Sequence, residues 1–139
     1  MKRRLLFVVT TAVCLSLLAS LPALAARAKS GSSGSSISLV PLGDAARASS
    51  TAGFGEEVTF AVSTSRTEYP WVQNRCWQGG KLVYEQWHGF FAGYQFGRVF
   101  TLGPTPSWSG GDATCTARLV KKASGRYQTL ATTSYSVAG

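Results

Sequence analysis

Trp71-Val-Gln-Asn-Arg-Cys-Trp-Gln-Gly-Gly-Lys-Leu-Val-Tyr-Glu-Gln-Trp87 holds two runs of strand-forming residues joined by Gly79-Gly80. Paired glycines supply the positive φ angles that a two-residue hairpin turn needs. With that turn at the tip, Trp77 lies opposite Leu82, Cys76 opposite Val83 and Arg75 opposite Tyr84, and opposed residues share a face. If Cys76 points inward, the inner face holds Val72, Cys76, Val83 and Trp87. The outer face then holds Gln73, Arg75, Trp77, Leu82, Tyr84 and Gln86. The same register turns Asn74 and Glu85 inward and opposite each other, which is costly unless they hydrogen-bond or lie at an open end.

Working outward from the hairpin, the rest of the chain reads as further short strands between Gly, Pro and Ser breaks. Ile37-Ser-Leu-Val ends at Pro41, which suits an edge strand. Glu57-Val-Thr-Phe-Ala-Val-Ser places Val58, Phe60 and Val62 on one face. Gly97-Arg-Val-Phe-Thr-Leu is another strand. Ala113, Cys115, Ala117 and Leu119 alternate with Thr114, Thr116 and Arg118, which predicts a half-buried strand with Cys115 inward. Tyr127 to Val137 form the last strand, with a parity slip between Leu130 and Tyr135 that a bulge explains. No run has helical periodicity. The expected fold is an all-β antiparallel sandwich of about seven strands.

The N-terminus has the form of an export signal: Lys2-Arg-Arg, an apolar stretch from Leu5 to Leu21, and Ala23-x-Ala25, with cleavage expected after Ala25. Residues 26–36 read as a flexible Gly/Ser linker and 37–139 as the folded domain. No transmembrane or lipid anchor is expected. The chain has 14 Lys and Arg against 6 Asp and Glu, and Lys2, Arg3 and Arg4 leave with the signal. The exported domain stays moderately basic, which either only aids solubility or attracts it to anionic partners, and no nucleic-acid stripe is visible.

Cys14 also leaves with the signal, so Cys76 and Cys115 are the thiols that reach an oxidising compartment, and a disulfide between them is expected. Closing so long a loop removes unfolded-state entropy equivalent to about 4 kcal/mol of stability. A one-cystine sandwich with Asp112-Ala-Thr-Cys115 resembles an immunoglobulin-like domain over residues 37–138. Val58-Thr-Phe60, Cys76-Trp-Gln-Gly-Gly80, Phe100-Thr-Leu-Gly103 and Thr114-Cys-Thr-Ala117 are similar to small exported bacterial proteins of that type, generally without known activity. The chain departs from the antibody pattern. Its first cysteine falls on the third strand and Ala113 stands where a tyrosine corner would be, so the cystine is expected to join neighbouring strands of one sheet.

Little in the sequence suggests catalysis. His88 is the single histidine, and there is no H-x-x-H, C-x-x-C or G-x-S-x-G element. Neither metal nor cofactor is expected. A triad of His88 with Asp44 or Asp112 is not selected by any spacing, and the adjacent Glu56 and Glu57 face opposite ways on a strand. The expectation is a secreted, monomeric, non-catalytic module whose partner is an extracellular protein or polysaccharide. Gln73, Arg75, Trp77, Tyr84, Gln86 and Arg118 form the candidate face, where flat rings beside amides and guanidinium groups would suit a sugar or a protein partner. Alternatively, a loop of the domain itself covers that face. The aromatic segment His88-Gly-Phe-Phe-Ala-Gly-Tyr94, with Phe90 and Phe91, is either a gripping loop or a flap closing the sandwich. The loop from Gly103 to Gly111 carries Trp108 and, in a third reading, is the wedge of a small inhibitor of an extracellular enzyme.

Overall fold

Period-two alternation builds eight strands in the computed structural model, which describes residues 34–43 and 51–139. The predicted signal peptide, most of the predicted linker, and Asp44 lie outside the described residues. The strands are β1 (Ser35–Pro41), β2 (Thr51–Gly53), β3 (Glu57–Thr64), β4 (Trp71–Gln78), β5 (Lys81–Gly89), β6 (Phe100–Thr101), β7 (Ala113–Ala123) and β8 (Arg126–Ala138). They form a three-stranded sheet in the order β1-β3-β6 and a five-stranded sheet in the order β2-β8-β7-β4-β5, packed as a sandwich. Every pairing is antiparallel except that of β2 with β8. β1 starts two residues before the expected Ile37, with the Ser35 hydroxyl 2.7 Å from that of Thr64.

The core follows the alternation. Val58 and Phe60 are buried, as are Ala113, Cys115, Ala117 and Leu119. Phe60 bridges the sheets, with its ring 5.3 Å from Phe100 and 6.2 Å from Tyr135. Cys76 and Cys115 are directly opposed on β4 and β7 and form a disulfide on the inner face. The staple joins two neighbouring strands of one sheet, as the sequence predicts. The parity slip in the last strand is also present, with Leu130 skipped between Ala131, paired to Leu119, and Thr129, paired to Val120.

The hairpin register departs from expectation at one residue. Gly79 and Gly80 do form the tip, at φ 52° and 81°, and Trp77 does oppose Leu82. Val83 is then an extra residue, so Cys76 opposes Tyr84, Arg75 opposes Glu85 and Gln73 opposes Trp87. A bulge of this kind reverses the facing of everything beyond it. Tyr84, predicted outward, is buried beside Val83, while Glu85 and Trp87, predicted inward, point out. Gln86, also predicted outward, moves to the inner parity and accepts a 2.7 Å hydrogen bond from the Tyr84 hydroxyl. Burial of both Val83 and Tyr84 is the physical reason, because strict alternation would have left one of them exposed.

Trp108 is corrected too. It is 1 % exposed, packed 5.0 Å from the ring of Phe54 and 6.1 Å from that of Tyr84, with its Nε1 donating to the Gly111 carbonyl. The loop it anchors holds the bulge in place, since the Thr105 hydroxyl donates to the Val83 carbonyl at 2.8 Å. This ring is a core element, so the expected wedge lacks its aromatic tip.

Asn74 does point inward, and its partner is Tyr135 rather than Glu85. The amide donates to the phenol oxygen at 2.7 Å, and the phenol donates to Oδ1 at 3.0 Å. Burial holds the Tyr135 phenol well above its ordinary range. Tyr135→Phe therefore leaves a fully buried amide without partners and is expected to cost about 1–3 kcal/mol in urea unfolding. The double variant Asn74→Leu/Tyr135→Phe, which removes both polar groups, should recover most of that loss.

Candidate functional site

The outward parity of β4, β5, β7 and β8 makes one continuous polar and aromatic surface. Across its middle, Glu85 Oε1 accepts three hydrogen bonds: from Gln73 Nε2 at 2.8 Å, Trp87 Nε1 at 2.9 Å and Arg75 at 3.2 Å, the last an ion pair. Partial burial would raise the Glu85 carboxyl, but these donors outweigh it and hold the group below its ordinary value. The Arg75 and Glu85 side chains remain 35 % and 30 % exposed.

The β7–β8 hairpin reaches over this cluster. Tyr127 on β8 sits 4.8 Å from the ring of Trp87 on β5, although β7 and β4 lie between those strands. In a flat sheet the two strands would be about 14 Å apart. The arm therefore coils across the outer face, with the skipped Leu130 supplying local twist. Arg118 donates to the Thr129 hydroxyl on this arm. Gln73, expected to meet a ligand, is only 3 % exposed beneath the cluster, where it orients Glu85.

At one end of the face the aromatic segment divides into two parts. His88 and Phe90 close the sandwich, with ring centroids 4.6 Å and 6.4 Å from Phe100. Burial lowers the His88 pKa, and its Nδ1 is 3.4 Å from the Tyr94 hydroxyl. Phe91 and Tyr94 instead fold round the edge of β5 onto Trp71, at 5.7 Å and 5.5 Å. Gly89 makes this possible, because a Cβ there would stand 2.5 Å from Phe91 and 2.6 Å from Tyr94.

At the opposite end lies a cleft of about 310 Å³ lined by Thr51, Trp77, Gln78, Asp112, Thr114 and Ser136, among others. Of the residues expected to form the face, the structure keeps Arg75, Trp77 and Arg118 on it. Glu85, Trp87, Tyr127 and the hydroxyl residues of the cleft are additions. The run Leu82-Val-Tyr84, three apolar residues in a row where period-two alternation allows no two, was the available sign of the bulge.

No protein family, curated protein or solved structure matches the chain. Among the described residues, no group of His, Cys, Asp and Glu is placed to hold a metal ion, and no helix is long and apolar enough to cross a membrane.

The lowered Glu85 carboxyl ties stability to acid pH. A carboxyl depressed in the folded state contributes stability above its unfolded value, near 4.5, and loses it as pH falls through the folded value. Glu85→Gln should be less stable than wild type at neutral pH, and the gap should narrow as pH is lowered from about 5 to 3 in thermal unfolding. His88 acts in the same pH direction from a different range: its pKa is lowered from 6.5 by burial, so below pH 6.5 the unfolded chain binds the extra proton first. Wild type should lose thermal stability as pH falls from 6.5, and His88→Phe should flatten that slope.

Proposed function

We propose that this chain is an exported, non-catalytic module of immunoglobulin-like type that binds an extracellular ligand with the outer face of its five-stranded sheet. The fold reading is supported by strand order. β1-β3-β6 corresponds to the A-B-E side of a variable-type domain and β8-β7-β4-β5 to its G-F-C-C′ side, with β2 added along β8. The cystine between the C and F equivalents, rather than B and F, is this chain's own variation. Export is supported by the signal-like N-terminus and by a disulfide that persists in oxidising compartments.

The observation that carries the binding reading is the polar cluster on Glu85. Gln73, Arg75 and Trp87 all donate to one carboxylate oxygen, Tyr127 packs against Trp87, and Arg75 and Glu85 stay partly open to solvent. Preorganised aromatic and guanidinium groups lose little conformational freedom on association, which is what a binding surface requires. The other outward surface contrasts with it: β1 and β3 present small residues such as Ser36, Ser38, Ala61 and Ser63. A non-catalytic role is supported by the setting of His88, whose ring packs against those of Tyr94 and Phe100.

Retention of the purified chain on intact cells and on insoluble cell-wall polysaccharide tests this reading. Trp87→Ala and Arg75→Ala should each lower the retained fraction at least about tenfold. Ser38→Ala, on the opposite sheet, should leave it unchanged. Undiminished retention of both outer-face variants would overturn the assignment.

A further inference from the structure

Four tryptophans occur in the chain, and three of them have ring partners: Trp71 with Phe91 and Tyr94, Trp87 with Tyr127, and Trp108 with Phe54 and Tyr84. Trp77 has no aromatic neighbour and makes no side-chain hydrogen bond among the described residues. It is half-buried and lines the cleft.

The rest of the cleft is set by strand register. Trp77 opposes Thr114, Thr114 opposes Ser136 and Ser136 opposes Thr51, a single row across β4, β7, β8 and β2. Neighbouring strands are about 4.8 Å apart, so the row presents hydroxyls at regular short intervals leading away from the indole. None of the three hydroxyls has a side-chain hydrogen-bond partner among the described residues. Gln78 is fixed at the rim by donating to the carbonyls of Gly110 and Asp112, which leaves its Oε1 as an acceptor. Asp112 accepts the Gly139 N–H on Oδ1 at 2.9 Å, leaving its second oxygen available.

We propose that this cleft is a subsite for a neutral pyranoside, with Trp77 as the stacking platform and Thr51, Thr114, Ser136 and Asp112 as its hydrogen-bonding groups. The proposal rests on the binding-face reading above and names its ligand class. Hydroxyls both donate and accept, so a row of Thr and Ser complements sugar hydroxyls in either orientation, and a carboxylate takes the strongest of their bonds. A pyranose also presents a flat C–H face to an indole. Charge selects against acidic ligands, because Asp112 is the one ionisable residue among those lining the cleft. That lining also lacks the cations a phosphate backbone needs. Within the row, β7 and β8 are paired on both sides, so a peptide lying in the cleft gains no ladder hydrogen bonds from them.

Titration with soluble cello-, chito- and malto-hexaose, read by the Trp77 indole N–H resonance and by calorimetry, tests the proposal. An oligogalacturonate and an extended peptide serve as controls. At least one neutral hexaose should shift the indole signal. Trp77→Ala should weaken that binding at least about 30-fold, as for a central anchor. Thr114→Val and Ser136→Ala should each weaken it about five- to tenfold, the equivalent of one hydrogen bond. Trp77→Phe, which keeps a smaller flat ring, should retain measurable affinity and guards against a folding defect in the alanine variant. The cleft assignment is overturned if no neutral hexaose moves the Trp77 signal, if only the acidic or peptide control does, or if Trp77→Ala and Thr114→Val bind like wild type. Cell retention that survives Trp77→Ala and Thr114→Val but is lost in Trp87→Ala would reject the sugar subsite while leaving the outer-face reading intact. Retention unaffected by any of these variants would reject both.

Discussion

The pairing of β4 with β7, closed on its inner side by the Cys76–Cys115 disulfide, is the constraint from which the other positions follow. Period two in a strand leaves no freedom once one residue is assigned a side, so long as no bulge intervenes. With both half-cystines inward, Asn74 must find a partner in the core, and it finds Tyr135. Arg75 and Trp77 must face out, and so must Thr114 and Arg118. Stabilisation and surface layout therefore share one cause.

Strands whose alternation was clean were legible from the residues alone. β3, β4 and β7 declare their buried sides through Val58 and Phe60, through Cys76, and through Ala113 to Leu119. The glycine turn at 79–80 was legible for the same local reason: only positive φ closes so short a loop. What the residues did not disclose was the single extra residue at Val83, because its cause lies elsewhere in the chain. Trp108 covers Tyr84, and Thr105 takes the Val83 carbonyl, both from a loop more than 20 positions away. Local pattern has no access to such contacts, and one unseen residue exchanged Tyr84 and Gln86 for Glu85 and Trp87 on the outer face.

The outer face is also less open than a sheet surface drawn flat. The β7–β8 arm brings Tyr127 onto Trp87, and Gln73 is buried and bonded to Glu85, which turns a polar side chain from a contact into a support. Glu85 is fixed by neighbours from both β4 and β5, so it keeps its charge and its orientation together. On the proposed reading, binding groups are held from beneath by hydrogen bonds and from the side by rings, and their arrangement precedes any ligand.

Trp77 and Thr114 are each one residue from a half-cystine, and they point the opposite way. The backbone that carries them is locked from underneath by a covalent bond, independent of what stands on the exposed side. Substitutions in that outer row can therefore accumulate with little effect on folding. A lineage could retarget the surface by exchanging hydroxyl, amide and aromatic residues there while the buried half of the same two strands stays unchanged.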